Sequence, residues 1–518
     1  MVLKNYTNPI LRGMRPDPSI VRVENYYYIV NSTFEYYPGI TLARSSDLMN
    51  WETLPSIATG HSQADLTKAK SNEGIFAVCI RYHEGKFYVI TTNFAEFKTF
   101  IITGKLDNDK IIWDKKRINI DVNGIDPDIF FEDGHTFVQY TGYLESGQKA
   151  LQQVEIDLTS GKVLNGPKIL TYGTGGRDVE GPHIIKNKGY YYLLAAEGGT
   201  GLGHMITIFR SKDIWGPFES CPNNPIFTNR DRADEPLQNI GHGDLFQDIH
   251  GNWWLTCLGT RPANINFKTF TNTGRETMLY PVDWDGDWPV INGGLPSQKV
   301  DLTKYPEHAK TLSEQNLSSF EDSFTDGRLS PEWISLRNSL KDRLSVKTNN
   351  LTLIGSNLTL SDLSTPSFLG IRQTEQNETF EVELNPEQCS LKDGQLGIAV
   401  TIDSGHFASL TVKKNDHDTF DLIKTVHVLD LVVEDKIAEI NTLPSKFSLI
   451  NHPATKEFVA EVNDQKLSFK VAAMHFSNEA ISALNTGDMQ GLYVVGQDTK
   501  MSVNNVKRFK IDQEQQLN

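Results

Sequence analysis

Short runs of alternating apolar and polar residues, each broken by a tight polar turn, set the rhythm of the first 300 positions. Asp17-Pro18-Ser19-Ile20-Val21 passes through Glu24-Asn25 into the aromatic run 26–30. The same texture returns four times: 77–81 with a turn at Glu84-Gly85, 126–130 with Asp133-Gly134, 181–185 with Lys188-Gly189, and 242–246 with His250-Gly251. Period-two alternation around an Asx or Gly turn predicts a β-hairpin at each place. A second hairpin follows most of them: 40–44 into Leu48-Met49-Asn50-Trp51, 100–106 into Ile111-Ile112-Trp113, 151–156 into Lys162-Val163-Leu164, 205–210 into Trp215-Gly216-Pro217-Phe218, and 277–282 into 284–288.

Four strands recurring every ~50–60 residues is propeller spacing. The pattern predicts an all-β chain with a five-bladed β-propeller over residues 1–300; a β-sandwich with irregular loops is the other reading of those hairpins. Residues 301–317 are polar and read as a linker. From 318 to 518 short strands alternate in period two, among them 351–353, 380–384, 397–400, 409–412, 458–462 and 491–495, which predicts a β-sandwich. The charged run 413–418 reads as a turn between strands, and no long helical segment is predicted.

Composition narrows the function. The 518 residues carry a formal net charge of −15, which disfavours a nucleic-acid surface and suits a neutral substrate. The N-terminal residues show no signal peptide and the chain no apolar span, so a cytoplasmic location and no membrane partner are expected. Cys79, Cys221, Cys257 and Cys389 are scattered without metal-like spacing and read as free thiols in a reducing compartment.

In a propeller the first strand of each blade lines the central channel, so the starts of those strands converge. With the five units in register, Asp17 and Asp126 share a position with Ala77 and His242, and Glu180 lies one residue earlier, in phase with Phe76. Three carboxylates thus face one space. Crowded acids raise at least one pKa, and a protonated acid beside an ionised one is what glycosidic hydrolysis requires. Asp128 falls in register with Ser19, Cys79, His183 and Asp244, farther along the strand, and is read as structural with Asp244 and Tyr26–Tyr28. Taken singly, Asp17 between prolines serves equally as a turn cap, Glu180 as a loop acid, Arg275 as a partner for Glu276, and Phe34 as core.

The blocks Arg15-Pro16-Asp17-Pro18-Ser19, Ser32-Thr33-Phe34-Glu35-Tyr36-Tyr37-Pro38-Gly39, Glu180-Gly181-Pro182-His183, Ala195-Ala196-Glu197-Gly198-Gly199-Thr200 and Gly274-Arg275-Glu276-Thr277 resemble glycoside hydrolase family 43. The likeness is to its two-domain β-xylosidases and α-L-arabinofuranosidases, which implies a jelly-roll, concanavalin-like sandwich after the propeller. The resemblance implies an inverting exo-glycosidase that releases terminal α-L-arabinofuranose, and also β-D-xylose, from arabino- and xylo-oligosaccharides. Asp17 would be the general base, Glu180 the general acid and Asp126 the modulator of its pKa. An inverting pair implies carboxyls about 6.5–9.5 Å apart. Arg275, Phe34, Phe76 and His242 would contact or wall the sugar. His242 reads as structural ahead of metal-binding; no cofactor is required, and the resemblance leaves room for a calcium ion near His242. A homo-oligomer is expected.

The chain departs from the family pattern in four places. Phe76-Ala77-Val78 stands where Trp-Ala-Pro is frequent, which makes a smaller platform. Arg15 replaces His or Asn and leans towards arabinofuranosidases. The segment 263–273 is short, which opens the leaving-group side, and 483–487 replaces a longer aromatic loop. The sandwich is expected to pack on the propeller and narrow its pocket. The competing readings are a primary exo-1,4-β-xylosidase, a non-catalytic sugar-binding propeller, and a retaining enzyme of the fructan-hydrolase type.

Overall fold

The computed structural model describes residues 3–284, 286–317 and 319–511. Asp285, which the sequence places in the last propeller turn, and residues 512–518 of the expected sandwich lie outside the described residues.

Each predicted unit folds into an antiparallel sheet whose strands follow in chain order. The first is Ser19–Val23, Tyr26–Asn31, Thr41–Ser45 and Glu52–Leu54; the third is Gly124–Glu132, His135–Tyr143, Lys149–Ile156 and Val163–Thr171. The inner strands Ser19–Val23, Ile75–His83, Gly124–Glu132, Glu180–Asn187 and Gln238–Gln247 pack each against the next, and the fifth returns to the first. The sheets therefore close into a five-bladed propeller. The outer strand of the second blade, Lys110–Trp113, lies where the sequence placed it, whereas those of the first and fourth begin later. Trp51 and Trp215 precede Glu52–Leu54 and Glu219–Ser220, because an edge strand carries little pattern of its own and the tryptophans pack in the turns that lead to it.

The ring is tied shut by its N-terminus. Asn5–Thr7 pairs with Lys299–Asp301, Asn8 exchanges two 2.9 Å hydrogen bonds with the Leu279 backbone, and the Tyr6 hydroxyl donates to Leu279 O at 2.5 Å. The stretch read as a linker does not hang free. Leu302, Tyr305, Ala309 and Leu312 are buried in the core of the fifth blade.

Along the axis the register inferred from sequence holds. Arg81 reaches inward and donates to Asp128 Oδ2 and to Asp244 Oδ2, both at 2.7 Å. Ser19 donates to Asp244 at 2.8 Å, and His183 Nδ1 lies 3.0 Å from Asp128 Oδ2. A buried cation among buried anions satisfies charges that would be costly alone. Asp128 and Asp244 are thus taken up by Arg81 and do not line the pocket.

At the mouth the inner strands are bulged. Register shifts fall between Ile75 and Val78, Ile125 and Asp128, Glu180 and His183, and Gly241 and Gly243. At the register position that the inner-strand ends share, the backbone turns left-handed in four blades: Asp17 at φ 48°, Asp126 at 51°, Gly181 at 58° and His242 at 43°. Asp and His tolerate this region better than most residues. A bulge re-aims the side chains beside it, and here it turns them from the strand faces towards the axis.

The C-terminal part is a sandwich of two sheets. One is centred on Thr499–Lys510 and Glu378–Leu384; the other runs Ser367–Arg372, Met489–Val495, Gln395–Asp403, His406–Lys414, Phe420–Val428 and Leu431–Ile440. Inward residues such as Phe380, Phe447, Phe458, Ile398, Leu410 and Leu492 are wholly buried between the sheets. The sandwich docks on the propeller through Tyr36–Tyr37, which pairs with Ser335–Leu336. Asn478 N donates to Thr271 O at 2.9 Å, and Asp488 N to Asn272 O at 2.8 Å.

Candidate active site

The bulged strand ends and the edge of the sandwich enclose a cavity of about 800 Å³. Asp17, Phe34, Phe76, Asp126, Glu180, His242 and Arg275 all line it, so every site residue expected from the sequence meets in one place. A volume of that order takes a small ligand or the end of a chain.

Asp17 is held from three sides. Arg275 Nη1 donates to Asp17 Oδ1 at 2.8 Å, Ser32 Oγ to Oδ2 at 2.7 Å, and His242 Nδ1 lies 3.6 Å from Oδ1. Burial pushes this carboxyl up, but Arg275, then His242 and Ser32, outweigh it and hold Asp17 below its ordinary value. The other two acids go the opposite way. Burial, reinforced by Glu180 and Asp17, drives Asp126 well up against the pull of Lys149 and Arg275. Glu180 is also raised, chiefly by burial; Lys149 opposes this while Asp178 and Asp17 add to it. One cavity thus holds an acid biased to the anion and two biased to the protonated form.

Arg275 pairs with Asp17 and not with its chain neighbour Glu276, which is taken by Arg261 at 2.7 Å. The guanidinium also lies 5.6 Å over the Phe34 ring and 3.3 Å from Thr200 Oγ1. Phe34 is both pocket wall and core, since it packs with Tyr36 and Ile334 at the domain boundary. Phe76 stacks on Phe94 with ring centroids 4.5 Å apart, so the smaller platform is backed by a second ring. Burial pushes His242 down to about 3 and His204 to about 4, which leaves both imidazoles neutral at ordinary pH.

Arg15, the motif residue that leans towards arabinofuranosidases, does not line the cavity. Its guanidinium turns away to Glu332 of the sandwich at 3.0 Å and to Thr53 at 3.2 Å. The motif therefore carries a domain contact in its first residue and the site in its third. The sandwich itself contributes Ser482, Ala483, Leu484 and Asn485 to the cavity, and Asn485 O lies 3.5 Å from Arg275 Nη2. The short segment after Pro262 forms a hairpin, Ala263–Ile265 with Lys268–Phe270, whose Phe270 packs on Ala473.

Sequence reasoning missed Lys149, Asp178, His204 and Asn239. Lys149 starts the third strand of its blade, where the inner-strand register offers no phase to compare. Asp178 sits on the irregular approach to Glu180. His204 had one signal, its place just after the glycine-rich block 198–203.

The profile described as Glycosyl hydrolases family 43 matches residues 6–289. The chain belongs to glycoside hydrolase family 43. A second profile, the Beta xylosidase C-terminal Concanavalin A-like domain, matches residues 321–510, which makes this a two-domain member of the family. A relative named Non-reducing end alpha-L-arabinofuranosidase BoGH43B, from Bacteroides ovatus, is 32% identical, with 95% of this chain and 92% of that one covered. The Xylosidase/arabinosidase of Butyrivibrio fibrisolvens is 35% identical over 80% of this chain and 81% of its own. Among solved structures, a xylan beta-1,4-xylosidase from Bacillus halodurans superposes with a TM-score of 0.87 at 27% identity, covering 97% of this chain and all of that one. The family 43 member is thus a glycoside hydrolase, and a purely sugar-binding propeller is the poorer reading.

Proposed function

We propose that this family 43 hydrolase is an inverting exo-glycosidase that removes terminal, non-reducing α-L-arabinofuranose, and also β-D-xylose, from arabino- and xylo-oligosaccharides. The observation that carries the reading is the opposite bias of Asp17 and Glu180 in one cavity. Asp17, kept anionic by Arg275, serves as general base on a water. Glu180, biased towards its protonated form, donates its proton to the departing glycosidic oxygen. Asp126, driven up by burial and by Glu180 and Asp17, resists sharing the cavity with a second full charge and so modulates the proton on Glu180. Arg275 and neutral His242 orient Asp17, while Phe34 and Phe76 wall the sugar ring.

The named relatives support both sugars. The arabinofuranoside ranks first, because the relative matched over 95% of this chain is named a non-reducing end alpha-L-arabinofuranosidase. Rates on 4-nitrophenyl α-L-arabinofuranoside and β-D-xylopyranoside test the order; a strong xyloside preference reverses it. Proton NMR of the first-formed anomer tests the stereochemistry, and retention would exclude Asp17 as the base for water.

A calcium ion near His242 fits the donors poorly. Calcium takes about six to eight oxygen ligands, whereas the carboxylate beside His242 is Asp17, already engaged by Arg275 and Ser32. A second grouping, Cys79, Asp128 and His183, has the Arg81 guanidinium against it. No step is routed through a metal. We also propose that the chain works on oligosaccharides inside the cell, as a homo-oligomer. The four cysteines are free and form no disulfide, and Leu429, Leu431 and Val432 stand exposed at one sandwich hairpin. Sedimentation velocity checks the oligomer, and a single species at monomer mass removes it.

A further inference from the structure

Glu180 has a partner that its role does not explain. Lys149 Nζ contacts Glu180 Oε1 and, at 3.0 Å, Asp178 Oδ1. An ammonium only donates, so Oε1 must accept and cannot carry a proton that faces Lys149. The acidic proton is thereby assigned to Oε2.

The arrangement is built rather than incidental. Asp178 is held by Arg177 Nε at 2.7 Å, and the loop before it is pinned by buried Glu197. That carboxylate accepts from Thr174 N at 3.0 Å, Gly176 N at 3.2 Å and Thr207 Oγ1 at 2.7 Å. Lys149 also lies 5.7 Å over the Tyr143 ring, which limits where its stem can go. We propose that Lys149, anchored by Asp178, is the positioning residue of the general acid. It fixes Glu180 with its proton on Oε2, and it moves its charge from Asp178 towards Glu180 as that carboxyl becomes an anion.

This rests on Glu180 being the acid. The groups that face Glu180 are Lys149 from the third strand of its neighbouring blade, Asp178 and Arg177 from the preceding loop, Asp126 and Tyr143 from the third blade, Asp17 from the first, and Arg275 and His242 from the fifth. Lys149 and Asp178 act on Glu180 with opposite sign, which gives a test that a merely structural role would not satisfy. The alkaline limb of kcat/KM should move up by about one unit in Lys149→Met, which loses the cation. It should move down in Asp178→Asn, which leaves Lys149 wholly to Glu180. Lys149→Arg should restore the wild-type limb. Lys149→Met should also slow alkyl arabinofuranosides more than 4-nitrophenyl ones, since a poor leaving group needs the proton more. Limbs that stay at the wild-type position, or that move together, overturn the proposal. Glu180→Gln in the same assay separates the two ideas. If it loses the alkyl substrates, the acid stands and only Lys149 is at issue; if it keeps them, the assignment of Glu180 falls and this inference with it.

Discussion

Asp17 and Glu180 are both carboxylates on buried strand ends, yet their surroundings drive them apart. The guanidinium of Arg275 at 2.8 Å decides the first, and burial, with Asp178 and Asp17 adding to it, the second. The proposed mechanism needs Asp17 ionised and Glu180 protonated. The acid limb of kcat/KM therefore falls below the ordinary aspartate value of 3.8 and the alkaline limb above the ordinary glutamate value of 4.5, with activity lost as pH rises through the raised Glu180. Asp17→Asn should cut kcat by roughly 10²–10⁴-fold on every substrate, and Glu180→Gln should abolish the alkaline limb. Initial rates from pH 3 to 9 read both. A Glu180→Gln profile with its alkaline limb intact would reassign the acid. That Asp17, Asp126 and Glu180 share one cavity was legible in the sequence, because Asp17 and Asp126 recur in phase and Glu180 lies one residue earlier. The contact of Arg15 with Glu332 was not legible, because adjacent residues of one motif can point to different neighbours, and only packing tells them apart.

At the scale of the strand, the bulge is the device that presents the site. Four of the five equivalent positions turn left-handed, and Gly181 takes the one in the Glu180 strand. A Cβ on Gly181 would sit 3.0–3.1 Å from the His242 ring, whereas the turn residue Gly189 has nothing within 4 Å. Gly181→Ala should therefore destabilise the protein by about 1–2 kcal/mol and shift His242 against Asp17, lowering kcat. Gly189→Ala should show the smaller backbone penalty alone and keep its activity. Thermal melts and rates on both variants make the comparison; equal losses would remove the special role of the Glu180 bulge. The hairpins were legible from alternation and turn residues. The bulges were not, since one extra residue leaves the composition unchanged and alters only which face each side chain takes.

Across the whole molecule, the pocket is complete only when the sandwich is docked. Its edge supplies residues 482–485. Arg15–Glu332 is one of the ties across that boundary. Burial pushes the Glu332 carboxyl up, but Arg15, then Arg372 and Arg508, overcome this and bring it down to about 2 from an ordinary 4.5. Its folded pKa is depressed, so its contribution to stability is present above about 4.5 and is lost as pH falls towards 2. Wild type should lose thermal stability between pH 5 and 3 more steeply than Glu332→Gln, which starts lower and changes less. Parallel pH slopes in the two proteins would show that this ion pair does not couple the domains.

The amino-acid sequence alone determined the repeat, the ring, the second all-β unit and the three acids, since each rests on periodicity or on a short motif that local geometry enforces. Tertiary structure decided what those acids do to one another. Whether a carboxyl is anionic or protonated depends on charges a few ångströms away, and here they come from residues such as Arg275, 258 positions from Asp17 in the chain. Lys149 beside Glu180, Arg15 turned to Glu332 and Asn485 at the rim are juxtapositions of the same kind, made by closing the ring and docking the sandwich, and no local pattern records them.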